Sequence, residues 1–253
     1  MTDPRSILIT GASSGLGAAL ARAYAAPDVA LALGGRDSAR LEAVAAACRA
    51  AGAEARPATA DVTDAAAMDA WIATVDARAP LDLVIANAGV SGGSGGGDED
   101  AEATRRIFAV NLDGVVNTVS PAIPGMRARG RGRIAIVASI AGYRGLPGAP
   151  AYSSSKAAVL AWGDGLRGAL HGDGIAVTVV CPGFIRTPMT DANPFPMPLI
   201  MDADRAARLI RRRLARAPAR IAFPWPLHAL AWLTAALPPG LIDPLFRRLP
   251  KKP

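Results

Sequence analysis

Short apolar runs alternate with longer segments of helical periodicity along the first 190 residues of the chain. The apolar runs are continuous rather than interrupted by polar residues, which is typical of strands that are buried on both faces. Strands are predicted at residues 6–10, 29–33, 54–60, 81–86, 133–138 and 176–181, and helices at 18–26, 38–51, 64–78, 98–111 and 152–171. This order predicts an α/β domain with a doubly wound, Rossmann-like parallel sheet.

The pattern changes after residue 187, where we predict a helix at 202–217 and a seventh strand at 220–223. Residues 193–199 carry prolines at alternate positions and predict a mobile lid, while the glycine-rich residues 91–97 predict a mobile surface loop. We assign residues 1–223 to a single domain and residues 224–253 to an apolar, helical extension that ends in basic residues.

Composition narrows the class of protein further. Half of the 253 residues are apolar, which is enough for a sizeable core. The two cysteines, Cys48 and Cys181, are typical of a reduced intracellular protein. The sequence shows neither a signal-peptide pattern nor an apolar run of the roughly 18 residues that a membrane span needs, so we expect a cytoplasmic protein.

The formal net charge of +7 is unevenly distributed along the chain. Residues 1–200 carry 17 basic and 18 acidic side chains, whereas residues 201–253 carry 11 basic and 3 acidic ones. We therefore expect no nucleic-acid-binding surface on the main domain. Two hypotheses stay open for the extension: it lies on anionic lipid at the inner face of a membrane, or it packs over a pocket or a subunit interface.

Three glycines, Gly11, Gly15 and Gly17, stand between the first strand and the first helix. Glycines at such a turn let the backbone approach a pyrophosphate. The helix N-terminus that follows presents free N–H groups and the positive end of its dipole to the same group. The strand–turn–helix context makes this spacing a dinucleotide-binding signal rather than an ordinary glycine turn.

The end of the second predicted strand indicates which dinucleotide binds. An acidic residue there binds the adenosine ribose hydroxyls of NAD, whereas an arginine suits the 2′-phosphate of NADP. Gly35 takes the acidic position, Arg36 follows it, and Asp37 is predicted to cap the next helix. The sequence therefore predicts NADP (NADPH), with NAD less favoured, unless Arg36 is an ordinary surface arginine.

Tyr152 and Lys156 stand four residues apart in a predicted helix, and Ser139 follows the fifth predicted strand. Four residues are about one helical turn, so the phenol and the ammonium share a helix face. A neighbouring ammonium lowers the pKa of a phenol, which prepares it to donate or accept a proton at a carbonyl or alcohol oxygen. Lys156 is the one lysine before Lys251 and Lys252 in a chain with 25 arginines, which indicates that its position requires a compact ammonium.

Taken together, these motifs resemble the short-chain dehydrogenase/reductase family, in its single-domain branch. The matching segments cover roughly residues 5–190 in the family's order: Thr10–Gly17, Asp61–Val62, Asn87–Gly89, Asn111, Ser139, Tyr152 with Lys156, and Pro182–Gly183 with Thr187. One departure concerns Ser14, where many NADP-preferring members carry a basic residue.

The resemblance implies roles for individual residues. Tyr152 is the general acid/base, Lys156 lowers its pKa and holds the nicotinamide ribose, Ser139 hydrogen-bonds the substrate oxygen, and Asn111 anchors a water in a proton relay. The implied cofactor-binding residues are Gly11, Ser13, Ser14, Gly15, Leu16, Gly17, Arg36, Asp61, Val62, Asn87, Ala88, Gly89, Tyr152, Lys156, Pro182, Gly183, Ile185 and Thr187. Among them, Asp61 and Val62 contact adenine and Thr187 meets the carboxamide. No metal ion is expected.

We therefore expect an NADP(H)-dependent oxidoreductase that moves a hydride between nicotinamide and the carbonyl or secondary alcohol of a hydrophobic small molecule. The resemblance also implies a homodimer or homotetramer, formed through the helices around residues 100–120 and 151–171. A sugar-nucleotide epimerase or dehydratase would need a larger substrate domain. A non-catalytic NADP-binding regulator or scaffold is the alternative from another class, and it would not need the serine–tyrosine pair.

Overall fold

The computed structural model describes residues 3–92, 99–191, 193 and 195–246. Its strands are β1 (Ser6–Thr10), β2 (Ala30–Gly35), β3 (Glu54–Thr59), β4 (Leu83–Ala86), β5 (Gly132–Val137), β6 (Ile175–Pro182), β7 (Ile185–Arg186), β8 (Met201–Asp202) and β9 (Arg220–Phe223). Seven of them form one parallel sheet in the order β3-β2-β1-β4-β5-β6-β9, while β7 and β8 pair separately. The predicted doubly wound sheet is confirmed, including the seventh strand.

Helices cover both faces of this sheet. They are α1 (Gly15–Tyr24), α2 (Ser38–Ala50), α3 (Ala65–Arg78), α4 (Ala101–Phe108), α5 (Gly114–Val119), α6 (Ile123–Ala128), α7 (Pro150–Ala169), α8 (Pro188–Asp191), α9 (Ala203–Leu214), α10 (Trp225–Ala236) and α11 (Pro239–Phe246). None of the helices in these described ranges has the length and apolar character needed to cross a membrane.

The core explains why the strands are apolar without interruption. Successive side chains of a strand point to opposite faces of the sheet. Accordingly, Ile7 and Ile9 join the apolar cluster beneath α1, α2 and α9, while Leu8 between them joins the cluster on the opposite face. Because helices cover both faces of the sheet, a polar side chain on either face of a central strand would need a hydrogen-bond partner within the core.

Some predicted boundaries differ from the structure. The helix predicted through residue 111 is α4, beginning at Ala101, and it passes into a π-helical turn at Ala109–Asp113 before α5. No pattern in the sequence signals this turn, since it depends on what the turn packs against. The predicted helix at 202–217 ends at Leu214. Residues 93–97 of the predicted glycine-rich loop and residue 194 of the predicted lid lie outside the described residues.

The C-terminal extension packs against the segment that follows β5. The Arg144 guanidinium donates hydrogen bonds from Nη1 to the carbonyl oxygens of Thr234 (2.7 Å) and Leu237 (3.0 Å), at the end of α10. The same side chain lies 3.8 Å from the Asp243 carboxylate and 5.6 Å from the centroid of the Phe246 ring, both on α11. One partly buried arginine therefore joins both extension helices to the segment that follows β5.

Candidate active site

The turn between β1 and α1 has a backbone shape that only glycines fit. Gly11 and Gly15 have φ angles of +65° and +52°, which side chains with a Cβ rarely adopt. A Cβ on Gly17 would lie 2.1 Å from the Gly11 carbonyl oxygen, so α1 packs directly on the turn. The Ser14 side chain makes no capping hydrogen bond at the start of α1. The N–H groups of the first helical turn are therefore left for another acceptor.

Asn87, at the end of β4, fixes the neighbouring strand to this turn. Its Nδ2 donates to the Thr10 carbonyl oxygen (3.0 Å), and its backbone N–H donates to the Thr10 hydroxyl (3.2 Å). The second contact of Nδ2, to the Gly11 carbonyl oxygen, spans 3.3 Å. Strand ends that are far apart in the sequence are thereby held as one edge, as the carboxyl ends of parallel strands require for a shared site.

A cleft of about 350 Å³ opens along this edge. It is lined by nearly all of the residues that the sequence resemblance assigned to cofactor binding: Gly11, Ser13, Ser14, Gly15, Leu16, Arg36, Asp61, Val62, Asn87, Ala88, Gly89, Tyr152, Lys156, Pro182, Gly183, Ile185 and Thr187. The exception is Gly17, which lies behind the turn. The glycine turn fits the pyrophosphate of a dinucleotide, and so does the N-terminus of α1, whose N–H groups have no side-chain cap.

Two arginines stand at one end of the cleft. Arg36 is exposed and lies near Asp61, whose pKa is held below its usual range by hydrogen bonds from Thr63, with the Arg36 charge adding to the effect. Arg40 lines the same end. The Asp37 carboxylate caps α2 as predicted: Oδ1 accepts from the Arg40 N–H (2.9 Å) and Oδ2 from Arg40 Nε (2.6 Å). These bonds lower the pKa of Asp37.

Tyr152 stands at the other end, on the first turns of α7. The Ser139 hydroxyl is held nearby: its Oγ accepts from the Ala141 N–H (3.1 Å) and donates to the Pro182 carbonyl oxygen (3.4 Å). Burial raises the pKa of Tyr152, and the hydrogen bond from Ser139 opposes the rise. Desolvation of the phenol is the largest effect on this pKa, and the predicted lowering of the pKa by Lys156 stays a prediction.

Lys156 is buried in the wall of the cleft, with 4% of its surface exposed. Its Nζ donates to the Val137 carbonyl oxygen at 2.9 Å and lies 5.8 Å from the centroid of the Tyr152 ring. Burial lowers the pKa of Lys156 to about 8. The ammonium therefore carries most of its charge at neutral pH and sits within reach of any group that enters the cleft beside Tyr152.

Asn111 lies behind the cleft, in the π-helical turn. Its Oδ1 accepts from the Val90 N–H (2.8 Å), and its Nδ2 donates to the Val90 carbonyl oxygen (2.9 Å) and to Ser155 Oγ (3.0 Å). Both amide hydrogens are thus used, while Oδ1 retains one lone pair. A Cβ on Gly89 would lie 3.3 Å from Asn111 Oδ1 and 3.5 Å from Lys156 Nζ, so both groups converge on the space above Gly89.

The comparison with known families agrees with this geometry. A family model described as short chain dehydrogenase matches residues 5–195, which is most of the chain. The chain belongs to the short-chain dehydrogenase family. It is therefore an NAD(P)-dependent oxidoreductase with a Rossmann-like fold, and the resemblance seen in the sequence is confirmed.

Relatives within the short-chain dehydrogenase family cover nearly the whole chain. A protein of Myxococcus xanthus (strain DK1622), named an uncharacterized oxidoreductase, is 40% identical over 246 residues, spanning 97% of each chain. A short-chain dehydrogenase from Sphingobium yanoikuyae, solved in complex with NADPH, superimposes with a TM-score of 0.80 at 29% identity, covering 98% of this chain and 97% of that one. A variant of the actinorhodin polyketide ketoreductase, solved with NADPH, gives 0.79 at 27% identity, covering 89% and 98%.

Two residues of this short-chain dehydrogenase site escaped the sequence analysis. Arg40 follows its capping partner Asp37 by one helical turn, and that spacing could have signalled a second cation at the cleft. No local sequence pattern indicates Glu99, because its carboxylate bonds to a backbone N–H group 52 residues away in the chain. Its carboxylate accepts hydrogen bonds from the Ala151 and Tyr152 N–H groups, and so caps the start of α7.

Proposed function

We propose that the chain is an NADP(H)-dependent oxidoreductase that moves a hydride between nicotinamide and the carbonyl carbon of a hydrophobic ketone or aldehyde, or the matching alcohol. The observation that carries the proposal is that the Tyr152 phenol and the Lys156 ammonium share one cleft with the glycine turn, and that Ser139 acts on the pKa of that phenol. When bound, the cofactor supplies or accepts the hydride. Proton transfer is left to the residues of the chain.

In the direction of reduction, Tyr152 donates the proton. Its raised pKa keeps the phenol protonated at neutral pH, which is the form needed to protonate a carbonyl oxygen. Ser139 stabilises the charge that develops on that oxygen through a hydrogen bond. We assign the resupply of the proton to Lys156 and to a water held by the remaining lone pair of Asn111, above Gly89.

The choice of NADP rests on the two arginines. Gly35 places no acceptor at the ribose position, and both oxygens of Asp37 are already engaged by Arg40. Arg36 and Arg40 supply positive charge to a 2′-phosphate, and Arg40 compensates for the absence of a basic residue at Ser14. The NADPH found in the Sphingobium and actinorhodin relatives supports this choice.

The hydrophobic character of the substrate rests on apolar side chains of the cleft. Val90, Val110 and Met189 line the same cleft as Tyr152. A charged substrate would have to be desolvated against these side chains with little compensation.

We further propose that the protein forms a homodimer or homotetramer through the surfaces of α4, α5 and α7. The exposed Phe108 on α4 supports an interface there, because 38% of its surface is uncovered. Light scattering measures the mass directly. A monomer at micromolar concentration would exclude both assemblies.

The cofactor assignment is tested by fluorescence titration of NADPH and NADH into wild type, Arg36→Ala and Arg40→Ala. Loss of one charge-assisted hydrogen bond costs about 1.5–3 kcal/mol, so the Kd for NADPH should rise about tenfold or more in Arg36→Ala. The Kd for NADH should not change. Arg78→Ala, a matched control with an exposed side chain outside the cleft, should behave as wild type. Equal wild-type affinities for the two cofactors would overturn the NADP preference.

The catalytic assignment is tested with Tyr152→Phe in a screen of NADPH consumption with hydrophobic ketones and aldehydes. A general acid contributes about 10²–10⁴-fold to a rate, so kcat should fall by at least about 100-fold while NADPH binding stays within twofold. Full activity of the variant would refute the role of Tyr152. If wild type binds NADPH but turns over none of these compounds, the non-catalytic regulator or scaffold becomes the better hypothesis.

A further inference from the structure

The extension exposes apolar side chains where a soluble domain usually exposes polar ones. Most of the large apolar residues that are exposed in the described ranges lie on α10 and α11: Trp225, Leu230, Trp232, Leu233, Leu241 and Leu245. The two tryptophans have 77% and 60% of their surface exposed. Exposed apolar groups that cluster in this way mark an interaction site rather than the ordinary scatter of single residues.

Helical geometry places these α10 residues on one side. Trp225, Leu230, Trp232 and Leu233 fall within about 160° of the helix circumference, given the 3.6 residues per turn of an α-helix. Thr234 is buried on the opposite side, and the His228 ring packs against Tyr143 with 5.4 Å between ring centroids. The helix Trp225–Ala236 contains no charged residue. The outward side of α10, which we call the outer face, is therefore apolar.

The second helix repeats this arrangement. Leu241 and Leu245 are four residues apart and lie on one exposed side of α11, with 71% and 56% of their surface uncovered. Ile242 is buried beneath them, and Asp243 turns toward Arg144. Arg144 therefore fixes the orientation of both helices, so the exposure of their apolar sides follows from the packing.

The charges that follow α11 in the sequence distinguish between the surfaces that could cover this face. The residues after α11 are Arg247, Arg248, Leu249, Pro250, Lys251, Lys252 and Pro253, which contain four cations and no anion. Two copies of this basic segment would repel each other, which disfavours a second copy of the chain as the partner. An anionic lipid surface would attract them, and tryptophan side chains favour the boundary between lipid and water.

We propose that the outer faces of α10 and α11 dock on the surface of an anionic lipid bilayer. The apolar side chains supply burial in the boundary region, and the basic residues that follow supply attraction to lipid phosphates. Stable attachment generally requires two such contributions together. The protein lies on the bilayer without crossing it, and docking requires neither cofactor nor turnover.

The test is co-sedimentation of the full chain with vesicles of phosphatidylglycerol and phosphatidylcholine in equal parts, at low salt. Wild type should sediment with these vesicles, and should bind pure phosphatidylcholine vesicles at least about tenfold more weakly. The double variant Trp225→Gln/Trp232→Gln should lose about tenfold or more of its affinity for the anionic vesicles. Leu241→Gln/Leu245→Gln tests α11 independently. Leu199→Gln is the matched control, since Leu199 is 54% exposed but lies outside the extension.

Light scattering and NADPH titration on the same samples report assembly and folding. Failure of wild type to bind anionic vesicles at low salt would overturn the proposal, as would unchanged binding by both double variants. If the double variants instead dissociate a wild-type oligomer that ignores vesicles, the outer face belongs to a second copy. Vesicle binding by a protein that turns over no substrate would leave this proposal standing and reject only the proposed activity.

Discussion

Arg144 provides the sharpest test of how the extension is attached. Its Nη1 bonds to the carbonyl oxygens of Thr234 and Leu237, and these are end-of-helix acceptors with no intrahelical donor. Only 17% of the side chain is exposed. Replacement by alanine leaves both carbonyls without this donor and also removes the contacts to Asp243 and Phe246.

The magnitude follows from these contacts. A hydrogen bond from a charged donor contributes about 1.5–3 kcal/mol, and an ion pair to a half-exposed carboxylate adds less than about 1 kcal/mol. Because contacts that share one side chain are not additive, we take about 3 kcal/mol in total. This corresponds to about a 100-fold increase in the fraction of molecules whose extension is open. Arg144→Lys keeps one donor and should give about a tenfold increase.

Hydrogen exchange measures this opening directly. Amides of residues 225–246 should exchange about 100-fold faster in Arg144→Ala than in wild type, while amides of the central sheet keep their rates. The Kd for NADPH should stay within about twofold, since Arg144 does not line the cleft. Arg127→Ala, which removes an exposed ion pair to Asp173, is the matched control. Unchanged exchange of residues 225–246 in Arg144→Ala would refute this account of how the extension is held.

Three further predictions concern the site. Burial lowers the pKa of Lys156 to about 8, so below pH 8 the charged ammonium is buried and its full desolvation cost reduces the free energy of unfolding. As the pH rises from 8 toward the unfolded pKa of 10.5, the folded protein loses this proton and the cost is relieved. The stability of wild type relative to Lys156→Met, from urea unfolding, should rise by about 2 kcal/mol between pH 7 and pH 9.5, and a flat difference would contradict the burial. Gly17→Ala forces a methyl group against the Gly11 carbonyl and should cost about 2–3 kcal/mol and weaken NADPH binding. Gly168→Ala, with open space around the added carbon, should be neutral or stabilising. Glu99→Ala should cost about 1 kcal/mol and Glu99→Gln less, and equal unfolding midpoints would exclude the cap.

The sequence by itself determined the fold and the location of the cleft. Each of these follows from local pattern: an unbroken apolar run predicts a buried strand, and glycines before a helix predict a turn whose backbone can lie close to a pyrophosphate. Parallel strands place their carboxyl ends on one edge of a sheet, and Gly11, Asn87, Ser139 and Pro182 each stand at the end of a predicted strand, so the strand pattern alone places these residues together. Asp37 as a helix cap is another local property, and the structure shows it.

Only the tertiary structure decided the chemistry of the site and the attachment of the extension. Residue spacing places the Tyr152 phenol and Lys156 on one helix face. The direction in which the pKa of the phenol shifts depends instead on how deeply the phenol is buried. Glu99 reaches α7 across 52 residues, and the π-helical turn presents Asn111 to Val90. The sequence of the extension is apolar throughout and does not indicate which side of each helix faces water. The contacts that Arg144 makes with both helices determine this. Desolvation and long-range contacts depend on atoms that meet only after folding, so no local pattern can specify them.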